Sequence, residues 1–174
     1  MLKPCVFFDR DGIVNRYPGE GKYVERLEEF HLQSEFIDAL RLVLARNYEA
    51  VIVTNQRGVA LGKMTLETIH GMHGRLHETL SAENLKLLDI MICPHGEDSH
   101  PNRKPNPGMI LDAAKKHGLD LHQSWMVGDS ERDAVAGKRA GCKTVLVSTA
   151  NKPTVADYRV KDMKELVAFL EAHL

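Results

Sequence analysis

Aspartates follow two short apolar runs of this chain, where they could act on a phosphate group or hold a metal ion. Asp9 and Asp11 come directly after Cys5–Phe8, and Asp129 comes shortly after the run 125–127. Carboxylates held close together raise each other's pKa unless a cation compensates, so this pattern favours a hard divalent metal such as Mg²⁺. An acidic turn or a helix N-cap is the alternative interpretation of each loop taken alone, and Asp129 in particular could cap the helix that follows it.

Polar and cationic side chains come after other predicted strands or before helices. Thr54, Asn55 and Gln56 supply a hydroxyl and two amides after the second apolar run. Arg103 and Lys104 stand just before a predicted helix, whose N-terminus itself attracts anions. Ordinary turn chemistry and a solvated basic turn explain these segments when each is considered alone.

Taken together, these loops contain what phosphoryl transfer requires. A metal ion and a lysine can neutralise phosphate charge, a hydroxyl and amides can hold the phosphoryl oxygens, and one carboxylate can attack phosphorus. Electrostatic stabilisation of the transferred group is most of what a protein must provide for this reaction. The combined pattern, with Asp133 one helical turn beyond Asp129, therefore predicts phosphoryl-transfer chemistry.

The elements that must position these residues alternate between short apolar strands and amphipathic helices, which is typical of the α/β class. The strand predictions are 5–8, 50–53, 88–92, 125–127 and 144–147. The helix predictions are a helix capped by Ser34, one capped by Thr65, and the segments 107–116, 131–140 and 162–173. Most strands lack polar alternation, which predicts a parallel sheet with helices on both faces. In such sheets ligands bind beyond the carboxyl ends of the strands, where the loops above lie.

Length and composition predict one domain over residues 1–174 and exclude several other functions. The 174 residues carry 23 Lys+Arg against 24 Asp+Glu, so no broad basic field is available for nucleic acid or for a membrane surface. No apolar run approaches the length of a bilayer span, and no signal-peptide pattern is present, so we expect a cytoplasmic protein. Three widely spaced cysteines are typical of reduced thiols. We also expect a monomer whose partner is a small phosphorylated metabolite.

Four motifs in order make the chain similar to the haloacid dehalogenase (HAD) superfamily of phosphatases. They are FFDRDG at 7–12, TNQ at 54–56, RKP at 103–105, and GDS at 128–130 with Asp133. Within the superfamily, the first two motifs, CPH at 93–95 and RKPNPGM at 103–109 resemble the D,D-heptose 1,7-bisphosphate 7-phosphatases, with histidinol-phosphate phosphatases as close relatives. The resemblance implies a three-layer α/β/α Rossmann-like domain, a sugar bisphosphate as substrate and a role in forming lipopolysaccharide precursors. The gaps between motifs are too short for an inserted cap domain.

The resemblance also implies a role for each matching residue. Asp9 would be the nucleophile that forms an aspartyl-phosphate, and Asp11 would act as general acid and then general base. Asp9, the backbone carbonyl of Asp11, and Asp129 would hold Mg²⁺. Thr54 and Lys104 would stabilise the phosphoryl group, while substrate contacts would come from Tyr23, Asn55, Gln56, Arg57 and Arg103.

Two further groups of residues invite metal binding. In the family the loop after the third strand often holds zinc through Cys-x-His and Cys-x-Cys pairs. Here Cys93, His95 and His100 remain, with Asp98 as a conceivable fourth ligand, so either Zn²⁺ or turn contacts would hold this loop. Three histidines of the second helix, His70, His73 and His77, recur at helical spacing, and we interpret them as residues flanking its apolar stripe.

A non-hydrolytic class, the receiver-type phosphoacceptor domain, also uses an aspartate at a strand end together with a threonine and a lysine. The residue that separates the two classes is Asp11. An acid/base two residues after the nucleophile hydrolyses the phosphoenzyme, whereas a signalling domain needs the phosphoryl group to persist. The sequence therefore favours the phosphatase.

Overall fold

A central sheet of six parallel strands runs through the computed structural model, which describes all 174 residues. The strands are β1 Cys5–Phe8, β2 Glu49–Asn55, β3 Asp89–Cys93, β4 Trp125–Gly128, β5 Lys143–Val147 and β6 Tyr158–Val160, in the order β3-β2-β1-β4-β5-β6. The helices are α1 Ser34–Ala45, α2 Leu66–Ala82, α3 Gly108–His117, α4 Glu131–Ala140 and α5 Met163–His173. The predicted three-layer α/β fold without a cap domain is confirmed.

The central strand β1 is apolar and buried throughout because both faces of the sheet are covered there. Along β1, Val6 and Phe8 belong to one hydrophobic cluster, and Cys5 and Phe7 belong to the other. The first cluster also contains the apolar faces of α1, α2 and α5, and the second contains those of α3 and α4. Alternate residues of a strand point to opposite faces, so a strand covered on both sides buries every side chain.

Most of the predicted elements are confirmed, with differences at their ends. Thr65 caps α2 by accepting a hydrogen bond from the amide of Thr68, as predicted. Ser34 is not a cap, because it is already the first residue of α1 and its hydroxyl donates to Glu35. Helix α3 begins one residue later than predicted, at Gly108.

The start of α4 rules out the alternative interpretation of Asp129 as the N-cap of this helix. Ser130, rather than Asp129, occupies the N-cap position. The Asp133 carboxylate accepts hydrogen bonds from the backbone amide and hydroxyl of Ser130, which fixes the first turn of the helix. The side chain of Asp129 is thereby left available for another role.

The sixth strand was not predicted from the sequence. It has only three residues, of which Tyr158 and Arg159 are exposed, so it has neither the length nor the apolar character of the other strands. The three cysteines are free and buried, as predicted for reduced thiols. None of the helices combines the length and apolarity that crossing a lipid bilayer would take.

Helix α4 packs directly against the sheet at Gly137, where there is no room for a side chain. A Cβ atom at this position would come within 2.6 Å of Met126 Cβ and 2.7 Å of Thr144 Cγ2. Met126 Cβ is fixed to the strand backbone, and a rotation that moved Thr144 Cγ2 would break the hydrogen bonds between the Thr144 hydroxyl and Asp157. Asp133 lies in the first turn of α4, so the close packing at Gly137 also fixes how near the Asp133 carboxylate lies to the edge of the sheet.

We predict that Gly137→Ala lowers the free energy of unfolding by about 1–3 kcal/mol, because overpacking outweighs the gain in helix propensity. Gly71→Ala is the matched control, since that glycine lies within α2 and no atom lies within 4 Å of its added Cβ. The control should raise the free energy of unfolding by up to about 1 kcal/mol. Urea unfolding of both variants measures the contrast, and equal effects of the two substitutions would contradict it.

Candidate active site

The register of the sheet brings the predicted site residues to one edge. Phe8 at the end of β1 lies opposite Ile52 of β2 and Val127 of β4. The amide of Asp9 continues this pattern by donating to the Val127 carbonyl at 2.9 Å. The residues that follow these strands are therefore neighbours, because parallel strands all end on the same side.

Three carboxylates converge at this edge. One oxygen from each of Asp9, Asp129 and Asp133 lies within 4.8 Å of the others. Two glycines permit the convergence: a Cβ on Gly12 would lie 2.0 Å from Asp129 Oδ2, and a Cβ on Gly128 would lie 2.2 Å from Asp133 Cβ. Gly12 also adopts a φ of +96°, a conformation that other residues rarely adopt.

The buried ammonium group of Lys104 lies between two of these carboxylates. Its Nζ donates to Asp9 Oδ1 at 2.7 Å, to Asp133 Oδ1 at 2.8 Å and to the Val53 carbonyl at 2.9 Å. All three donors are thus used, and the side chain is only 3% exposed. A charge this deeply buried persists only when it is paired and hydrogen-bonded.

Backbone contacts hold Lys104 in place. The Asn55 amide donates to the Lys104 carbonyl at 3.0 Å and its Oδ1 accepts from the Lys104 amide at 3.0 Å. Arg132 of α4 donates to the same carbonyl at 3.1 Å and also pairs with Asp98. Side chains from β2 and α4 therefore fix the residue in the loop between them.

The charge balance of the site leaves two carboxyl groups with raised pKa values. Burial, followed by the Asp133 charge, raises the pKa of Asp9 to about 7. Burial, followed by the charges of Asp9 and Asp133, raises the pKa of Asp129 to about 8. Burial by itself would lower the pKa of Lys104, but Asp133 and Asp9 outweigh it and hold that pKa above its usual value. One cation is thus too few for three carboxylates.

This donor set fits a hard divalent cation. Carboxylate oxygens are the ligands that Mg²⁺ prefers, and a second positive charge would relieve the repulsion that raises the pKa of Asp9 and Asp129. Both oxygens of Asp133 already accept hydrogen bonds, from Lys104 and Ser130. Asp9 and Asp129 are therefore the side chains free to bind such an ion.

The carboxylate of Asp11 is held by neighbours outside the three-carboxylate cluster, and it was the backbone carbonyl of Asp11 that the sequence placed among the metal ligands. Its Oδ1 accepts from Arg10 Nη2 at 2.9 Å and from the Asn15 amide at 2.9 Å, and its Oδ2 accepts from Gln56 at 3.2 Å. Gln56 also donates to Thr54 Oγ1 at 2.9 Å, so Gln56 links the acid to the hydroxyl. Of the atoms of Asp11, only the backbone carbonyl remains a candidate metal ligand.

The predicted substrate-contact residues lie in two different settings. Arg103 is buried, and its guanidinium donates to Asp98 at 3.0 Å and to the His95 carbonyl. Arg57 is exposed and makes no ion pair. Tyr23 is half-buried, with Lys63 Nζ 5.6 Å from the centre of its ring. Asn55 is committed to Lys104, as described above.

The proposed zinc ligands do not converge. The rings of His95 and His100 stack at 3.9 Å in nearly parallel planes, so their in-plane lone pairs do not meet at a common ion. His100 Nδ1 accepts from the Asn102 amide, and Asp98 is paired with Arg132 and Arg103. Cys93 is buried in the hydrophobic cluster below. Turn contacts and ion pairs, the alternative considered for this loop, are what the structure contains.

The interpretation of the α2 histidines needs one correction. His70 and His77 are exposed, as residues flanking an apolar stripe should be, whereas His73 is only 5% exposed. Burial, and then the charge of Arg10, lowers the pKa of His73 to about 3. His73 was misplaced because a helical repeat alone does not reveal a buried cation beneath it.

Two functional roles in this site were missed from the sequence. Asp133 was recognised as part of the fourth motif, but its ion pair with Lys104 was not foreseen. Asn15, whose side chain is buried and donates to Asp11, was not considered. The spacing Ser130-x-x-Asp133 is the signal for the first, because it predicts an acidic side chain at the helix N-terminus.

Known proteins that are similar in sequence to this chain are phosphatases of one family. The HAD-hydrolase-like family matches residues 101–167. The D-glycero-beta-D-manno-heptose-1,7-bisphosphate 7-phosphatase of Helicobacter pylori is 35% identical over 171 residues, covering 96% of this chain and 97% of that protein. The D-glycero-alpha-D-manno-heptose-1,7-bisphosphate 7-phosphatase of Photorhabdus laumondii is 35% identical over 156 residues, covering 85% and 84%.

A solved structure matches the whole fold. The D,D-heptose 1,7-bisphosphate phosphatase from B. bronchiseptica, complexed with magnesium and phosphate, superposes with a TM-score of 0.86. Its sequence is 28% identical, and the match covers 98% of this chain and 99% of that one.

We predict that Lys104→Met lowers the free energy of unfolding by about 3–5 kcal/mol, because it leaves Asp9 and Asp133 buried without their counter-charge. Lys116→Met is the matched control: its side chain is 61% exposed and its ammonium pairs with Asp89, so this substitution should cost at most about 1 kcal/mol. Both variants should be unfolded with urea in the presence of a chelator, so that no metal replaces the lost charge. The prediction would be contradicted if Lys104→Met lowered the free energy of unfolding by no more than Lys116→Met does.

Proposed function

This chain belongs to the haloacid dehalogenase-like phosphatases, in the family of the heptose-1,7-bisphosphate 7-phosphatases, and we propose that it hydrolyses the 7-phosphate of a D,D-heptose 1,7-bisphosphate. The observation that carries the proposal is the meeting of Asp9, Asp129 and Lys104 at one edge of the sheet, with the carboxylate of Asp11 held beside them. We propose that residues 1–174 act as one phosphatase domain and as a monomer.

Asp9 is the proposed nucleophile. One of its carboxylate oxygens attacks phosphorus, the bond from phosphorus to the sugar oxygen breaks, and an aspartyl-phosphate forms. Lys104 already holds Asp9 at 2.7 Å and presents a positive charge where the phosphoryl oxygens would lie. Thr54 would donate its hydroxyl proton to a phosphoryl oxygen, since Gln56 already occupies that hydroxyl as a donor.

Asp11 is the proposed acid and base. In the first step its proton passes to the departing alkoxide, and in the second it takes a proton from the water that attacks the aspartyl-phosphate. Hydrogen bonds from Gln56 and Asn15 hold this carboxylate, and the buried Arg10 guanidinium pairs with its Oδ1. Inorganic phosphate leaves, and both aspartates return to their starting states.

Magnesium is the proposed cofactor. Asp9, Asp129 and the backbone carbonyl of Asp11 would hold the ion, and Asp133 would add negative charge while holding Lys104. When bound, Mg²⁺ would neutralise part of the charge on the transferred phosphoryl group.

Exposed loops are the proposed source of substrate specificity. Arg57 is a free cation beside the site, and its side chain lies near Gly96 in the loop after β3. Tyr23 and Arg103 complete the proposed contacts to the remainder of the sugar, together with Asn55 and Gln56 from the end of β2. A histidinol-phosphate phosphatase is the second candidate, since it would differ mainly in these loops.

We predict that Asp9→Asn abolishes magnesium-dependent release of phosphate, because an amide cannot act as the nucleophile. Asp11→Asn should slow release by about 10²–10⁴-fold, because the proton transfers are lost. Asp38→Asn is the control, since that aspartate pairs with Arg41 on the exposed face of α1 and should leave the rate unchanged.

The same phosphate-release assay, applied to the unmodified protein, separates a phosphatase from a receiver-type domain. Steady-state release of phosphate by the unmodified protein supports the phosphatase. Stoichiometric phosphorylation of Asp9 without turnover would instead assign the protein to the phosphoacceptor class, and mass spectrometry of the protein after mixing with substrate detects that outcome.

A screen of substrates tests the proposed heptose. We predict that one anomer of D,D-heptose 1,7-bisphosphate gives a kcat/KM at least about 100-fold above that of histidinol phosphate, a difference of about 2.7 kcal/mol in transition-state stabilisation. Both anomers should be assayed, because the relatives above are named for both. A preference for histidinol phosphate would transfer the assignment to the second candidate.

A further inference from the structure

The guanidinium of Arg10 lies directly behind the proposed acid. Arg10 is completely buried, and its Nε and Nη2 donate to Asp11 Oδ1 at 3.1 and 2.9 Å. Both hydrogen bonds converge on one oxygen, so the orientation of the guanidinium plane decides where the Asp11 carboxylate points. The other oxygen of Asp11 remains free of Arg10 and faces Gln56.

The opposite end of the same guanidinium is held by α2. Arg10 Nη1 lies 3.4 Å from His73 Nε2 and 4.0 Å from the sulfur of Met72. Phe30 lies against the guanidinium at 5.5 Å from its ring centre. The histidine nitrogen is the strongest acceptor of this group, because thioether sulfur and an aromatic face accept hydrogen bonds only weakly.

The chemistry of arginine fixes the state of His73. A guanidinium can only donate, so Nε2 of His73 must carry a lone pair, and the ring must be neutral with its proton on Nδ1. Burial beside a permanent cation favours the same state. His73 is therefore a fixed, neutral acceptor rather than a group that changes its charge.

We propose that His73 is a positioning residue for the reaction: it orients Arg10, and Arg10 orients the carboxylate of Asp11 for proton transfer to the leaving group. This rests on the proposed function, in which Asp11 is the general acid. No other nitrogen or oxygen acceptor is within hydrogen-bond distance of Arg10 Nη1. Removal of the imidazole would therefore free the guanidinium to rotate. Asp11 would then lose its alignment while Asp9, Lys104 and the metal ligands stayed in place.

The step that this alignment serves can be isolated by the choice of leaving group. An alkoxide departs only with a proton, whereas p-nitrophenolate departs without one. Formation of the aspartyl-phosphate should therefore depend on His73 with a sugar or alkyl phosphate, and be insensitive to it with p-nitrophenyl phosphate. A general loosening of the fold would slow both reactions.

The experiment compares His73→Leu and His73→Gln with the unmodified protein in single-turnover assays, with enzyme and Mg²⁺ in excess and release of the leaving group followed. We expect His73→Leu to slow release from the alkyl phosphate by at least about tenfold, and from p-nitrophenyl phosphate by less than about twofold. His73→Gln should restore most of the rate, because its amide oxygen supplies a neutral acceptor. His77→Leu is the control, since it lies one turn away on the exposed side of α2.

A second comparison keeps the test decisive if His73→Leu is less stable. In an Asp11→Asn background, His73→Leu should cause no further loss, because the acid it positions is already gone. Equal slowing with both substrates, or an additional loss in the Asp11→Asn background, would overturn the positioning role. Absence of leaving-group release from either substrate by the unmodified protein would overturn the proposed function instead.

Discussion

The ion pairs between the buried Lys104 ammonium and two carboxylates are the interaction on which the site depends. Lys104 comes from the loop before α3, Asp9 from the end of β1 and Asp133 from the first turn of α4. Removal of charges from water is costly, and this cost is recovered only when the geometry is close to ideal. The three segments must therefore be placed with an accuracy of a few tenths of an ångström before the site can exist.

That accuracy comes from the rigid layers beneath the site. Register within the parallel sheet places Asp9 beside the end of β4, and Gly137 lets α4 approach the sheet closely enough for Asp133 to reach Lys104. The loop that carries Lys104 has no regular structure, so side chains hold it instead. Asn55 bonds to its backbone on one side, and Arg132 does so on the other. Because these contacts hold the lysine before any substrate arrives, its charge requires little reorganisation during phosphoryl transfer.

The parallel sheet and the identity of the main catalytic candidates could be predicted from the sequence, because they leave strong local signals. Runs such as 5–8 and 50–53 lack polar alternation, and the aspartates stand immediately after strands. The sixth strand left no comparable signal, and the partners of Arg10 could not be predicted either. Its contact with His73 joins residues 63 positions apart, and such a pairing depends on how α2 lies over the sheet. The contact between the Asp11 carboxylate and Asn15 was missed for a similar reason, since the motif does not include Asn15.

The structure also explains why the reaction is easier to infer than the substrate. The side chains proposed to act on phosphorus lie at strand ends or in loops tied to them, and two of them, Lys104 and Asp11, are fixed by three and four hydrogen bonds. Arg57, in contrast, is exposed and unpaired, and Tyr23 lies in a loop with few polar contacts to the rest of the site. A side chain with few restraints can change partners without disturbing the catalytic centre, so this part of the molecule can vary while the chemistry stays the same. Relatives of equal identity to this chain are accordingly named for different anomers of one sugar. The exposed side chain of Arg57 and the half-buried ring of Tyr23 can therefore differ between relatives without a change in the groups around Lys104.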